Sequence, residues 1–280
     1  MRIVKSIAEM QRVCRELQME GSELGLVPTM GALHEGHLSL FRRARSECAV
    51  VVASIFVNPL QFAPGEDLAR YPRTFDEDCK LLEVEGADIL FAPEAEEMYP
   101  DNAVTTVTVP GIGDRLDGAS RPGHFTGVAT VVAKLFHIVT PRRAYFGQKD
   151  AAQVAVLQLM VRDLNFDIEL VICPIVRDAT GLALSSRNKY LSAGERRQAL
   201  VLHRTLLQIE QKIDEGERQS ALLVQYGTEI LRSESELRVD YLAIVDANTL
   251  LPVTYVEKGV LVAVAAYVGS TRLIDNFLIA

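Results

Sequence analysis

Up to about residue 175, apolar positions along the chain alternate between two rhythms. Leu24–Pro28 reads as a strand, and Ala49–Val57 is a near-continuous β-branched run, as expected of a strand covered on both faces. Between them Leu38, Phe41 and Ala44 recur at helical spacing, which predicts a helix beginning near His37. Thr74 and Glu77 stand at capping-box spacing ahead of Leu81 and Leu82; Gly86 closes that helix, and Ala87–Phe91 reads as the next strand. A helix over Phe125–Ile138, a strand at Arg143–Phe146, a helix over Asp150–Asp163 and a strand at Ile168–Cys173 continue the series. Such alternation needs right-handed crossovers, and so a largely parallel sheet.

The rhythm changes after Pro174. Ser192-Ala193-Gly194-Glu195 is a second capping-box signature and opens a long helix through Leu200, His203 and Leu207. A further helix over Ser220–Leu231 precedes strands at Val239–Val245, Gly259–Tyr267 and Thr271–Ile279. Two helices and then a run of strands predict a smaller α+β domain over 176–280, beside an α/β domain over 1–175. With no long linker or low-complexity tract between them, the two are expected to sit close together.

Composition narrows the function classes. The 280 residues, 49% hydrophobic and 24% charged, are those of a globular chain with ample core. A net charge of −8 gives no general attraction to nucleic acid or an anionic membrane, so an anionic substrate needs a locally positive pocket. Cys14, Cys48, Cys79 and Cys173 are scattered, which reads as reduced thiols of a cytoplasmic protein. Residues 1–20 lack the apolar core of a signal peptide, and no apolar stretch reaches the roughly 20 residues of a membrane span.

Ligands of open parallel sheets bind beyond the carboxyl ends of the strands, so polar motifs there are the place to look. The most informative is Thr29–His37, where His34 and His37 accompany Gly31 and Gly36 between a strand and a helix. A helix start has unpaired N–H groups and is partly positive; small residues let a phosphate approach, and imidazoles add donors. The pattern suggests a site that moves a nucleotidyl group. Asn58–Phe62, Gly147–Asp150 with Gln153, and Ser185–Asn188 follow at other strand ends. Singly, each has an ordinary reading: a turn at Asn58-Pro59, an N-cap at Asp150, a solvated Lys149, a polar linker at Ser185–Asn188. Four of them at one sheet edge favour a single crevice.

Other residues carry less. His137 and His203 lie on apolar or amphipathic helical patterns and read as structural. Arg42, Arg43, Arg45, Arg196 and Arg197 read as solvated helix faces, and Glu94, Glu96 and Glu97 lack metal-ligand spacing. The cysteines have no paired histidine motif that would make them nucleophiles.

Six ordered stretches are together far more specific than any one. Pro28–His37, Asn58–Phe62, Tyr71–Thr74, Arg121–Val128, Tyr145–Asp150 and Leu184–Asn188 make the chain similar to the pantothenate synthetase (pantoate–β-alanine ligase) family along nearly its whole length. That family belongs to the wider nucleotidylyltransferase-like group. The resemblance implies a Rossmann-type, mostly parallel α/β sheet, with the smaller C-terminal α+β domain closing over the active site. It also implies two steps. Pantoate carboxylate attacks the α-phosphorus of ATP to give pantoyl adenylate and pyrophosphate; the β-alanine amine then displaces AMP.

Residue by residue, the resemblance places Met30, Gly31, Ala32, Leu33, His34, Glu35, Gly36 and His37 along the ATP site, with His37 the proton donor. Gly147, Gln148, Lys149 and Asp150 would hold the nucleotide, Lys149 neutralising phosphate charge. Val176 would offer backbone contacts to adenine, and Leu184, Ser185, Ser186 and Arg187 would close over the triphosphate. Gln61 and Gln153 would take the pantoate hydroxyls and Phe62 its methyls, with Gln61 also bordering β-alanine. Mg²⁺ is expected on the triphosphate oxygens, with Glu77 and Asp78 as candidates to support it. A homodimer is expected from the same resemblance. A related enzyme activating another acceptor, or a non-catalytic nucleotide-binding module, are the rivals. Asn-Pro-Leu-Gln-Phe together with Gly-Gln-Lys-Asp argues against the first, and intact His34, His37, Lys149 and Arg187 against the second.

Overall fold

A computed structural model describes every residue except 64, 235 and 280. The elements run β1 (Arg2–Val4), α1 (Ile7–Met19), β2 (Leu24–Thr29), α2 (Glu35–Glu47), β3 (Val50–Ile55), α3 (Phe75–Val84), β4 (Ile89–Phe91), α4 (Ala95–Met98) and α5 (Asp117–Ser120). Then come α6 (His124–Val139), β5 (Arg143–Gly147), α7 (Ala151–Asp163), β6 (Glu169–Cys173), α8 (Ala193–Asp214), α9 (Ser220–Arg232), β7 (Leu237–Asp246), β8 (Val260–Val268) and β9 (Thr271–Leu278).

Six strands form one parallel sheet in the order β1-β4-β3-β2-β5-β6. Its faces explain the continuous apolar runs. Leu24, Leu26 and Val52 pack with Met10 of α1 and Phe136 of α6, whereas Val27, Val51 and Ala53 pack with Phe41 of α2 and Leu82 of α3. Successive residues point to opposite faces, so both parities must be apolar when helices cover both sides.

β7, β8 and β9 form a separate antiparallel sheet. Val262, Val264 and Ala266 of β8 pack under α8 and α9. Leu261 and Ala263, from the other face, join the core built on the parallel sheet. The small sheet is therefore sandwiched, which is why β8 is apolar throughout.

Four elements escape the apolar pattern: the four-residue helices α4 and α5, β1, a three-residue edge strand, and α1, capped by Ser6, whose hydroxyl accepts from the Glu9 N–H at 3.3 Å. The Ser192–Glu195 capping box forms as expected, with bonds of 3.2 and 2.8 Å. The Thr74–Glu77 box does not: the Thr74 hydroxyl donates to Asp78 at 3.2 Å and Glu77 faces outward.

The sheet order places the site. The chain builds outward from β2 through β3 and β4, then returns to lay β5 and β6 on the other side. The carboxyl ends of β2 and β5 thus flank the point where strand order reverses, where the flanking connections diverge and leave a crevice.

Candidate active site

The turn leaving β2 is held by a carboxylate rather than by its own sequence. Gly31 and Ala32 have φ of +79° and +51°, and a non-glycine residue there needs outside support. Asp78 on α3 supplies it. Its two oxygens accept from the N–H groups of Ala32 (2.9 Å) and Leu33 (2.8 Å), and Thr74 adds a third donor. Asp78 is 2% exposed and both of its oxygens accept hydrogen bonds, so it is the anchor of the turn. The Gly31 N–H is likewise taken, by the Thr29 hydroxyl at 3.1 Å. Three backbone N–H groups of this turn are therefore spoken for. Glu35, expected along the ATP site, instead sends its side chain to Arg42 on the surface.

His34 and His37 stack, ring centroids 4.1 Å apart. Gly36 makes room for the fold-back, since a Cβ there would come within 3.0 Å of the His34 ring. Burial, with the nearby Lys149 charge, pulls His34 down to about 4; burial and the neighbouring His34 pull His37 down to about 3. Both imidazoles are thus neutral near pH 7 and can donate hydrogen bonds but not positive charge. Each Nδ1 is buried without a protein partner.

At the end of β5, Lys149 lies 3.5 Å from Asp150, whose side chain does not cap α7. Lys149, Asp150, Gln153, Ser185 and Arg187 share the wall of a cavity of about 450 Å³. Arg187 makes a two-pronged pair with Asp67 (2.9 and 3.0 Å), and Ser186 meets the Tyr71 hydroxyl at 3.3 Å. The Val176 carbonyl accepts from the Leu184 N–H at 2.9 Å, which ties the residue to the segment that leads into Ser185–Arg187. Met30 and Gly31 border a neighbouring cleft of about 300 Å³, and the two histidines line neither space.

The amide side chains after β3 form a network. Asn58, 1% exposed, accepts from the Tyr99 hydroxyl (2.9 Å) and donates to the Gly127 carbonyl (3.0 Å) and the Gln61 side-chain oxygen (3.1 Å). Gln61 in turn donates to the Met30 sulfur at 3.0 Å, tying this turn to the one after β2. Gly127 is required: a Cβ there would collide with the Leu60 carbonyl.

Sequence reasoning gave Arg121 and His124 no role, though their Arg-Pro-Gly-His motif was the available signal. Both grip the Gln61 carbonyl, at 3.2 and 2.7 Å, and both line the larger cavity. Burial and the Arg121 charge pull His124 down to about 4, so the neutral ring donates from Nδ1 to Gln61 and accepts from Arg121 at Nε2. Arg121 is also paired with Glu66 at 2.6 Å. Of the histidines set aside, His137 is exposed and packs on Phe166, and His203 lies beside Gly181.

Across residues 2–278 the chain matches the family described as pantoate-beta-alanine ligase. It is similar to the pantothenate synthetase of Koribacter versatilis (strain Ellin345), with 59% identity covering 100% of this chain and 96% of that one. Similarity to the pantothenate synthetase of Thermotoga petrophila is 53%, covering 100% of each. The solved pantothenate synthetase from Thermus thermophilus matches with a TM-score of 0.95 at 50% identity, over 100% and 99% of the two chains. A pantoate-beta-alanine ligase from Francisella tularensis, solved as a complex with beta-gamma ATP and beta-alanine, matches with a TM-score of 0.81 at 34% identity, over 99% and 97%.

Proposed function

Because the chain belongs to the pantoate–β-alanine ligase family, we propose that it condenses pantoate with β-alanine using ATP, through pantoyl adenylate. The observation that carries this reading is one cavity wall shared by Lys149, Arg187 and Gln153, with the histidine pair near enough to feel the Lys149 charge and the Gln61 turn held by Arg121 and His124 of the same wall.

The physical logic suits activation of a carboxylate. Pantoate already holds its nucleophilic lone pair, so the first step needs alignment and charge stabilisation more than a general base. Lys149 and Arg187 neutralise charge on the phosphates, and His34 and His37 donate hydrogen bonds as neutral rings. Gln61 and Gln153 hold the pantoate hydroxyls without adding charge, with Phe62 beside the methyls. ATP enters as its Mg²⁺ complex. That ion is bound chiefly by the triphosphate oxygens.

Omission of each substrate in turn tests the reading. Pyrophosphate should appear with ATP and pantoate alone, and AMP release should need β-alanine as well; pyrophosphate release with another acid but not with pantoate overturns it.

The protein works in the cytoplasm as a homodimer. Among the described residues no helix is long and apolar enough to cross a membrane, and all four cysteines are free. Residues 103–109 run without strand pairing, and Val104 is 90% exposed, an edge suited to pairing with a second copy. Val104→Lys should then shift sedimentation toward the monomer, and an unchanged dimer would refute that surface.

A further inference from the structure

Two neighbouring residues of the last strand reach back into both nucleotide-binding segments. Asn276 on β9 is 3% exposed. Its Nδ2 donates to the carbonyls of Gln148 (3.1 Å) and Lys149 (2.9 Å), and its Oδ1 accepts from the Gln148 side chain (3.0 Å). One amide group thus fixes both peptide carbonyls around the base of Lys149. The geometry calls for an amide, which offers two donors on one nitrogen and an acceptor in the same plane.

Asp275, 4% exposed, makes a two-pronged pair with Arg177 at 2.6 and 2.9 Å. Arg177 adjoins Val176 and donates to the Gly181 carbonyl at 3.2 Å, bracing the loop that leads to Ser185–Arg187. The Asp275 carboxylate also accepts from the Asn276 N–H at 2.8 Å, which locks the two anchors together. Neither residue belongs to a motif at a strand's carboxyl end in the parallel sheet.

We propose that Asn276 is a positioning residue for adenylate formation: it holds the Gly147–Asp150 turn so that Lys149 meets the phosphates. The proposal rests on the assignment of that turn to ATP. Lys149 itself sits on a short turn at the head of α7, with one weak side-chain contact to Asp150. Its aim is therefore set by the backbone that carries it, and that backbone is held from β9. A displacement of about 1 Å at a reacting centre costs on the order of 100-fold in rate.

The test separates the two half-reactions. For Asn276→Ala, pyrophosphate release from ATP and pantoate in a single turnover should slow by about 10- to 100-fold. Aminolysis of supplied pantoyl adenylate by β-alanine should keep the wild-type rate per folded molecule. Asn276→Asp, which keeps the shape and loses both donors, should slow the first step as much as Asn276→Ala; Asn276→Ser, with one donor, should fall between. If Asn276→Ala does not fold, these two carry the comparison. In the Lys149→Ala background, Asn276→Ala should add no further slowing, because its effect acts through Lys149. Equal slowing of both half-reactions, an additive double variant, or wild-type adenylation in any of the three single variants overturns the proposal. Failure of the wild type to release pyrophosphate with ATP and pantoate sinks instead the functional reading beneath it.

Discussion

Replacing Asp78 by Ala isolates the anchor of the β2 turn, a role that sequence reasoning did not assign. In the wild type this carboxylate accepts from two buried backbone N–H groups and one hydroxyl. Hydrogen bonds to a charged acceptor contribute about 1.5–3 kcal/mol each, and a buried donor left without a partner costs about 1–3 kcal/mol. Two orphaned N–H groups, offset by solvent entering the gap, give a loss of roughly 3 kcal/mol. For a chain of this size each kcal/mol moves the melting temperature by about 2–4 °C, so a drop of roughly 6–12 °C is expected in a thermal scan. The strained Ala32 should also relax, moving His34 and raising the KM for ATP in the folded fraction. Asp78→Asn, which keeps one acceptor, should give a smaller shift. Raised Mg²⁺ should restore neither quantity, whereas a metal-supporting carboxylate would be compensated by it. A melting temperature unchanged in Asp78→Ala, or recovery of KM at high Mg²⁺, refutes the anchoring argument.

Lys149→Ala and His37→Ala should stay folded but slow adenylate formation; wild-type single-turnover rates in either would remove that residue from the reaction. Because the folded-state values of His34 and His37 lie at about 4 and about 3, below the ordinary 6.5, the unfolded chain takes up protons first as pH falls. Their contribution leaves stability at its full value above pH about 6.5 and erodes it progressively toward about 4 and then about 3, so His37→Gln should flatten the acid limb of a urea-midpoint profile. The adenylation rate should show no inflection near pH 6.5 from either ring, and one that His37→Gln abolishes would contradict the neutral pair. Gly127→Ala forces a methyl group against the Leu60 carbonyl and should cost about 1–3 kcal/mol, read from the urea midpoint, while raising the KM for pantoate. An unchanged midpoint would show that α6 does not bear directly on the Asn58–Gln61 turn.

What could be read from the chain alone was local or periodic. β2, β3 and β8 announce themselves because both faces of each are buried, and the serine cap of α8 is a four-residue signal. The crevice could be found because its motifs follow strands, and strand ends gather at one edge of a parallel sheet. Contacts between distant positions were hidden. Asp78 meets the turn from 46 residues away, and Asn276 meets Lys149 across 127. Nothing in the spacing of an aspartate on an amphipathic helix, or an asparagine in a terminal strand, distinguishes a solvated residue from an anchor. The neutral state of the histidines was hidden for the same reason, since it comes chiefly from burial, with Lys149 acting on His34 and His34 on His37.

The occupied N–H groups of the β2 turn set this site apart from a backbone phosphate cradle. A glycine-rich loop that offers its own amides works wherever it is placed, because the peptide carries its donors with it. Here those of Gly31, Ala32 and Leu33 face inward and are spent on the protein itself. The turn is therefore not a portable binding module. Excised with its strand and helix it would lose its shape, and grafted onto another sheet it would need α3 as well. The unit that must be conserved in any redesign is a triangle of β2, α2 and α3, whose third corner lies 45 residues along the chain from the turn it holds.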